Sequence, residues 1–168
     1  MSTTDQLLEN NARYAASFNQ GGLPMAPGRK VAVLACMDAR LVVRKILGLE
    51  EGDAHVIRNA GGVATEDAIR SLLISQRLLG TEEIILIHHT DCGMLTFRDD
   101  EVKRQIQEES GVRPNFALEA FPNSAEDVRE SINRLKASPF IPKKGNIRGF
   151  VYDVKTGKLN EVFPATTS

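Results

Sequence analysis

The 168-residue chain has little cysteine: only Cys36 and Cys92, with no Cys-x-x-Cys pair. Two such residues do not make a disulfide-stapled scaffold, and in a reducing compartment they are thiolates, ligands or buried thiols. A redox thiol pair is the weaker reading, because it gives the neighbouring histidine no role. An excess of one charge is also missing. Lys plus Arg is 21 and Asp plus Glu is 22, a net charge of −1, so nothing points to nucleic acid or an anionic membrane surface. No apolar run approaches the roughly 20 residues that cross a bilayer. Met1-Ser2-Thr3-Thr4-Asp5-Gln6 lacks a basic start followed by an apolar stretch, so the expectation is a soluble, cytoplasmic protein. Repeats and low-complexity tracts are absent as well. What is there is ordinary globular composition, 42% hydrophobic and 26% charged. It is enough for one domain with a real core, expected over 1–168 with a helical arm and loop at 1–28.

Apolar runs and breakers predict the elements. A first helix starts at Thr3, where Thr3 and Gln6 have capping-box spacing and Leu7, Tyr14 and Phe18 share a face. Gly21-Gly22-Leu23-Pro24 ends it. Such a leading helix is expected to pack on the main body or on a second subunit. Lys30 to Ala35 is a strand buried on both faces, Ala54 to Arg58 a second short strand and Glu83 to Ile87 a third. A helix from Leu41 to Leu47 stops at Gly48, and a helix capped by Thr65 carries Ile69, Leu72, Leu73 and Leu79 before Gly80. Thr96 to Glu109 and a segment from Ser124 are two further helices, and Gly111 to Asn123 is irregular. Arg148 to Val154 and Lys158 to Phe163 form a hairpin around Lys155-Thr156-Gly157. The expected class is α/β: a central, mostly parallel sheet of about four strands plus a C-terminal hairpin strand, flanked by helices, with an N-terminal helical arm.

In open sheets of this kind, sites form at the carboxyl ends of the strands. Cys36 closes the first strand, and His88-His89-Thr90-Asp91-Cys92-Gly93 closes the third. If these strands are neighbours, Cys36, His89 and Cys92 meet as a Cys₂His set. Three ligands of that kind suit a catalytic zinc ion with one position open. Buried cysteines and a satisfied histidine are the plainer reading of each residue alone, but ligand types, spacing and placement coincide for the set. His88 should point to the opposite face from His89, and His55 is an ordinary strand-end residue. Asp38 and Arg40, two and four residues after Cys36, share a side of an extended segment. A carboxylate held by a guanidinium stays ionised and fixed in direction, able to accept a hydrogen bond from a zinc-bound hydroxide. A surface ion pair of little weight is the plainer alternative.

Cys-Met-Asp-Ala-Arg at 36–40, Arg-Asn-Ala-Gly-Gly at 58–62 and His-His-Thr-Asp-Cys-Gly at 88–93 resemble the motifs of the β-class carbonic anhydrases. The compact length and the run into Met94 look most like the small prokaryotic and archaeal subclass. The resemblance implies zinc on Cys36, His89 and Cys92, with water as fourth ligand in the open form. In some members the equivalent of Asp38 swings onto zinc at lower pH, while the equivalent of Arg40 holds it away. It implies reversible hydration of CO₂ to bicarbonate and a proton, and a homodimer or homotetramer with the leading helix wrapped over a partner. Two thiolates offset the zinc charge, so activity should favour higher pH. Val63 and Met94 are candidates to line an apolar niche for CO₂, and Gly61 and Gly62 allow close backbone approach. His55 or buffer could carry the proton away. Hydrolysis of COS or CS₂ on the same scaffold is an alternative, and a non-catalytic zinc-binding protein a lesser one.

Overall fold

A computed structural model describes residues 2–164; Met1 and residues 165–168, the outer edges of the expected 1–168 unit, lie outside it. The chain runs α1 (Thr3–Ala16), β1 (Val31–Cys36), α2 (Val43–Leu47), β2 (Ala54–Asn59), α3 (Glu66–Arg77), β3 (Glu83–His89), α4 (Asp99–Ser110), α5 (Ser124–Ala137), β4 (Ile147–Tyr152) and β5 (Leu159–Val162), with a short 3₁₀ turn at Gly93–Leu95. The five strands form one sheet in the order β2-β1-β3-β4-β5. The first four strands pair in parallel and β5 returns antiparallel to β4, which is the α/β architecture expected.

Strand order reverses at β1: the chain steps outward to β2, then crosses back to lay β3 on the other side of β1. A crevice opens where neighbouring connections leave a parallel sheet in opposite directions, at the strands' carboxyl ends. Here that crevice lies between the ends of β1 and β3, which pair from Val31↔Glu83 to Ala35↔Ile87.

Two apolar layers cover the sheet. On one face Ala32, Leu34, Ile84 and Leu86 pack against Ala68 and Leu72 of α3 and Val128, Ile132 and Leu135 of α5. On the other, Val33, Ala35 and Ile87 join Leu41, Val43, Val63, Met94 and Phe121. Strand alternation generates both layers from one sequence, because successive side chains leave a strand on opposite faces.

Element ends shift by a few residues from the sequence reading. The capping box of α1 is made by Ser2 and Asp5 rather than Thr3 and Gln6: the Ser2 hydroxyl accepts from the Asp5 N–H at 3.2 Å, and the Asp5 carboxylate accepts from the Ser2 N–H at 2.7 Å. The helix ends at Ala16, so Phe18 lies beyond it. α2 starts at Val43 and α4 at Asp99, each later than periodicity suggests. β3 extends through His89. α1 has no buried residue, and Leu7, Leu8 and Tyr14 are all more than half exposed.

Candidate metal centre

β1 delivers Cys36 as its last residue, beside β3, and β3 delivers His89 as its last. Parity decides which way each histidine faces. His89 follows Ile85 and Ile87 onto the side of Cys36, and His88 follows Ile84 and Leu86 onto the side of α5. Asp91 then takes a left-handed conformation, φ 55°, which Asp tolerates better than most residues and which turns Cys92 back toward the strand end.

Cys36, His89 and Cys92 come together as expected. Their sulfur and nitrogen donor atoms all lie within 4.8 Å of one another, and all three residues are buried. The two sulfurs are 4.0 Å apart, and His89 Nε2 is 3.2 Å from Cys36 Sγ. His89 Nδ1 lies 2.8 Å from the Thr90 carbonyl, which can only accept, so Nδ1 carries a hydrogen and Nε2 is turned toward the sulfurs. A hydrogen bond from Cys92 outweighs burial and holds the Cys36 thiol below the ordinary thiol range, with backbone N–H groups of Asp38 and Gly61 adding to it. Donating that bond, with burial, pushes the Cys92 thiol up. Two sulfurs this close cannot both ionise without a shared positive charge. A buried S₂N donor set with opposed sulfurs and an oriented imidazole fits one soft or borderline divalent cation.

Asp38 and Arg40 form the pair the sequence suggested. Asp38 Oδ1 accepts from the Arg40 backbone N–H at 2.8 Å and from Nε at 2.9 Å, and Oδ2 accepts from Nη2 at 2.8 Å. Arg40 holds the Asp38 carboxyl well below the usual carboxylate range. Oδ2 sits 3.7 Å from His89 Nε2, so an ionised oxygen with a free lone pair overlooks the donor set.

Two residues of the site escaped the sequence reading. Asp91 accepts Arg40 Nη1 at 2.7 Å through its carboxylate and Nη2 at 2.9 Å through its carbonyl. Arg40 therefore ties the segment bearing Cys36 to the segment bearing His89 and Cys92. Arg58 donates to the Cys36 carbonyl at 2.7 and 3.0 Å and to the Asp38 carbonyl at 2.7 Å, clamping the backbone between these two residues. Asp91 stood inside a quoted motif between two candidate ligands, and Arg58 opened another; both types can hold charge at a strand end.

Val63, Met94 and Phe121 are buried in the cluster that contains Cys36 and Cys92, giving the site an apolar wall. Gly61 and Gly62 adopt φ 85° and 75°, and a Cβ on Gly62 would meet Cys36 N at 2.8 Å and the Ile87 carbonyl at 2.9 Å. The glycine loop thus seats directly on the ends of β1 and β3. His55 is placed elsewhere. It pairs with Ala32, four residues before the Asn59↔Cys36 pair, about 13 Å down the strand, and its Nδ1 is engaged by Ser75 Oγ at 2.8 Å.

Comparison with known proteins agrees with this geometry. The sequence profile of the carbonic anhydrase family matches residues 31–113, which contain all three donors. β-Carbonic anhydrase 1 of Mycobacterium tuberculosis is 60% identical over 164 residues, covering 98% of this chain and 100% of that protein. A carbon disulfide hydrolase of Saccharolobus solfataricus is 37% identical, covering 79% of this chain and 77% of that protein. The crystal structure of a carbonic anhydrase from Streptococcus mutans superposes with a TM-score of 0.91 at 44% identity, covering 97% of this chain and 99% of that one. Motifs, strand order, donor set and full-length relatives agree: the chain belongs to the β-carbonic anhydrase family of enzymes.

Proposed function

We propose that this protein hydrates CO₂ reversibly to bicarbonate and a proton, with zinc held by Cys36, His89 and Cys92. The observation that carries the proposal is the buried S₂N donor set beneath an Asp38 oxygen that Arg40 keeps ionised and aimed. Zinc so bound would supply the Lewis acidity that makes water a nucleophile near neutral pH. The chain's own groups do the rest. Asp38 Oδ2 accepts a hydrogen bond from an O–H of the attacking water and so turns a lone pair of the water oxygen toward the CO₂ carbon. Arg40, bonded to both Asp38 oxygens, keeps the carboxylate from turning away. Val63, Met94 and Phe121 offer apolar contact to a small uncharged substrate. With His55 at the far end of β2, the product proton leaves to buffer across the exposed Arg40–Asp91 edge.

The exposed apolar face of α1 supports a homodimer or homotetramer, with residues 1–168 acting as one unit. Among the described residues no helix is long and apolar enough to cross a membrane, and two free thiols suit a reducing cytoplasm. Hydrolysis of COS or CS₂ is the second reading, favoured by relatives named carbon disulfide hydrolase at 36–37% identity. Turnover of CO₂, COS and CS₂ by one preparation decides between them. Asp38→Ala tests the mechanism: zinc content stays at the wild-type level while CO₂ hydration falls about 100-fold. An undiminished rate overturns the role given to Asp38.

A further inference from the structure

His88 and Asp127 form a buried polar pair that the proposed chemistry leaves unused. His88 is fully buried and Asp127 nearly so, with Nε2 and Oδ2 2.6 Å apart. His88 Nδ1 has no partner among the described residues. A carboxylate can only accept, so His88 Nε2 carries the hydrogen of this bond. An apolar residue would fill this space without an orphaned nitrogen, so the pair calls for an explanation beyond packing. The same turn of α5 touches the strand a second time: Ser124 Oγ donates to the His89 carbonyl at 3.1 Å. That turn is itself fixed by Asn123, whose side chain accepts from the N–H groups of Ala125 and Glu126.

We propose that Asp127 and Ser124 are positioning residues that grip the end of β3 and thereby aim the His89 imidazole at Cys36 and Cys92. His88 and His89 are consecutive on one strand and face opposite ways, so holding the His88 ring from the α5 side fixes the twist with which His89 leaves the other face. Ser124 fixes the carbonyl between His89 and Thr90, the same peptide unit whose neighbour accepts His89 Nδ1–H. A histidine ligand turned by a few degrees loses overlap with the ion, and supporting contacts of this sort change metal affinity about 10- to 100-fold.

This inference rests on the zinc reading above. The test uses the zinc-loaded full-length protein and its cobalt(II)-substituted form, following zinc transfer to a chelator and the visible cobalt spectrum. Asp127→Ala should release zinc at least about 10-fold faster and alter the cobalt spectrum. Asp127→Asn keeps an oxygen that can accept from His88 Nε2 and should restore both. Ser124→Ala leaves the buried pair intact and should release zinc several-fold faster, a result that stands even if Asp127→Ala fails to fold. Lowered melting temperatures with wild-type zinc release and spectra would make the pair a packing anchor and overturn the proposal. Wild-type protein that takes up neither metal would overturn the zinc reading itself, and the positioning role with it.

Discussion

At the scale of single residues, the site depends on which donors share which acceptors. Cys36, His89, Cys92, Asp38 and Arg40 were legible in the sequence because their types and spacings are unusual together. Asp91 was not, because an exposed acid beside two candidate ligands has no periodic signature; only the left-handed turn at φ 55° reveals that it faces Arg40. Asp91→Asn keeps the left-handed preference and the carbonyl contact but removes the second negative charge from Arg40. Arg40 retains its three bonds to Asp38, so hydration should fall only several-fold, with zinc content unchanged, in stopped-flow assays. A loss as deep as that of Asp38→Ala would mean that Asp91 itself takes part in the chemistry.

At the scale of elements, strand cores were readable and their ends were not. Apolar β-branched runs located β1 and β3. That β3 extends through His89 depends on pairing with β4, His88↔Val151 and His89↔Tyr152, which no local pattern announces. The loop between β2 and α3 is held to glycine by contact as well as conformation. Gly62→Ala sets a Cβ 2.8–3.1 Å from backbone atoms of Cys36, Ala35 and Ile87 at φ 75°, and should cost about 3 kcal/mol or more in denaturant unfolding. A loss under about 1 kcal/mol would show that the strand ends yield easily. The irregular segment before α5 is tied down by Asp99, which accepts from the N–H groups of Leu118, Glu119 and Ala120 at 2.8, 3.2 and 2.9 Å. Burial would raise its pKa, yet the three N–H groups together lower it. Its folded pKa is thus below its unfolded one, so its contribution is complete above pH about 4 and is lost as pH falls through the lower folded value. Hydrogen exchange at residues 118–120 should accelerate in Asp99→Ala at neutral pH, and in the wild type only under strong acid. Equal protection in both would remove Asp99 from that role.

At the scale of the whole molecule, the reversal of strand order at β1 decides everything: it puts the ends of β1 and β3 side by side and brings cysteines 56 positions apart to 4.0 Å. The sequence pointed to this topology through alternating strand and helix patterns, but could not give neighbour relations outright. α1 buries none of its residues, exposing Leu7 and Leu8 at 61% and 63%. If a second copy covers it, Leu8→Glu should lower the mass measured by light scattering toward that of the 18.5 kDa chain; an unchanged mass would place the interface elsewhere. The most direct test of the account is the CO₂ hydration rate measured while zinc is added stepwise to metal-stripped protein. The rate should rise in proportion to bound zinc and level off at one ion per chain. A rate independent of zinc, or no zinc uptake at all, would contradict it.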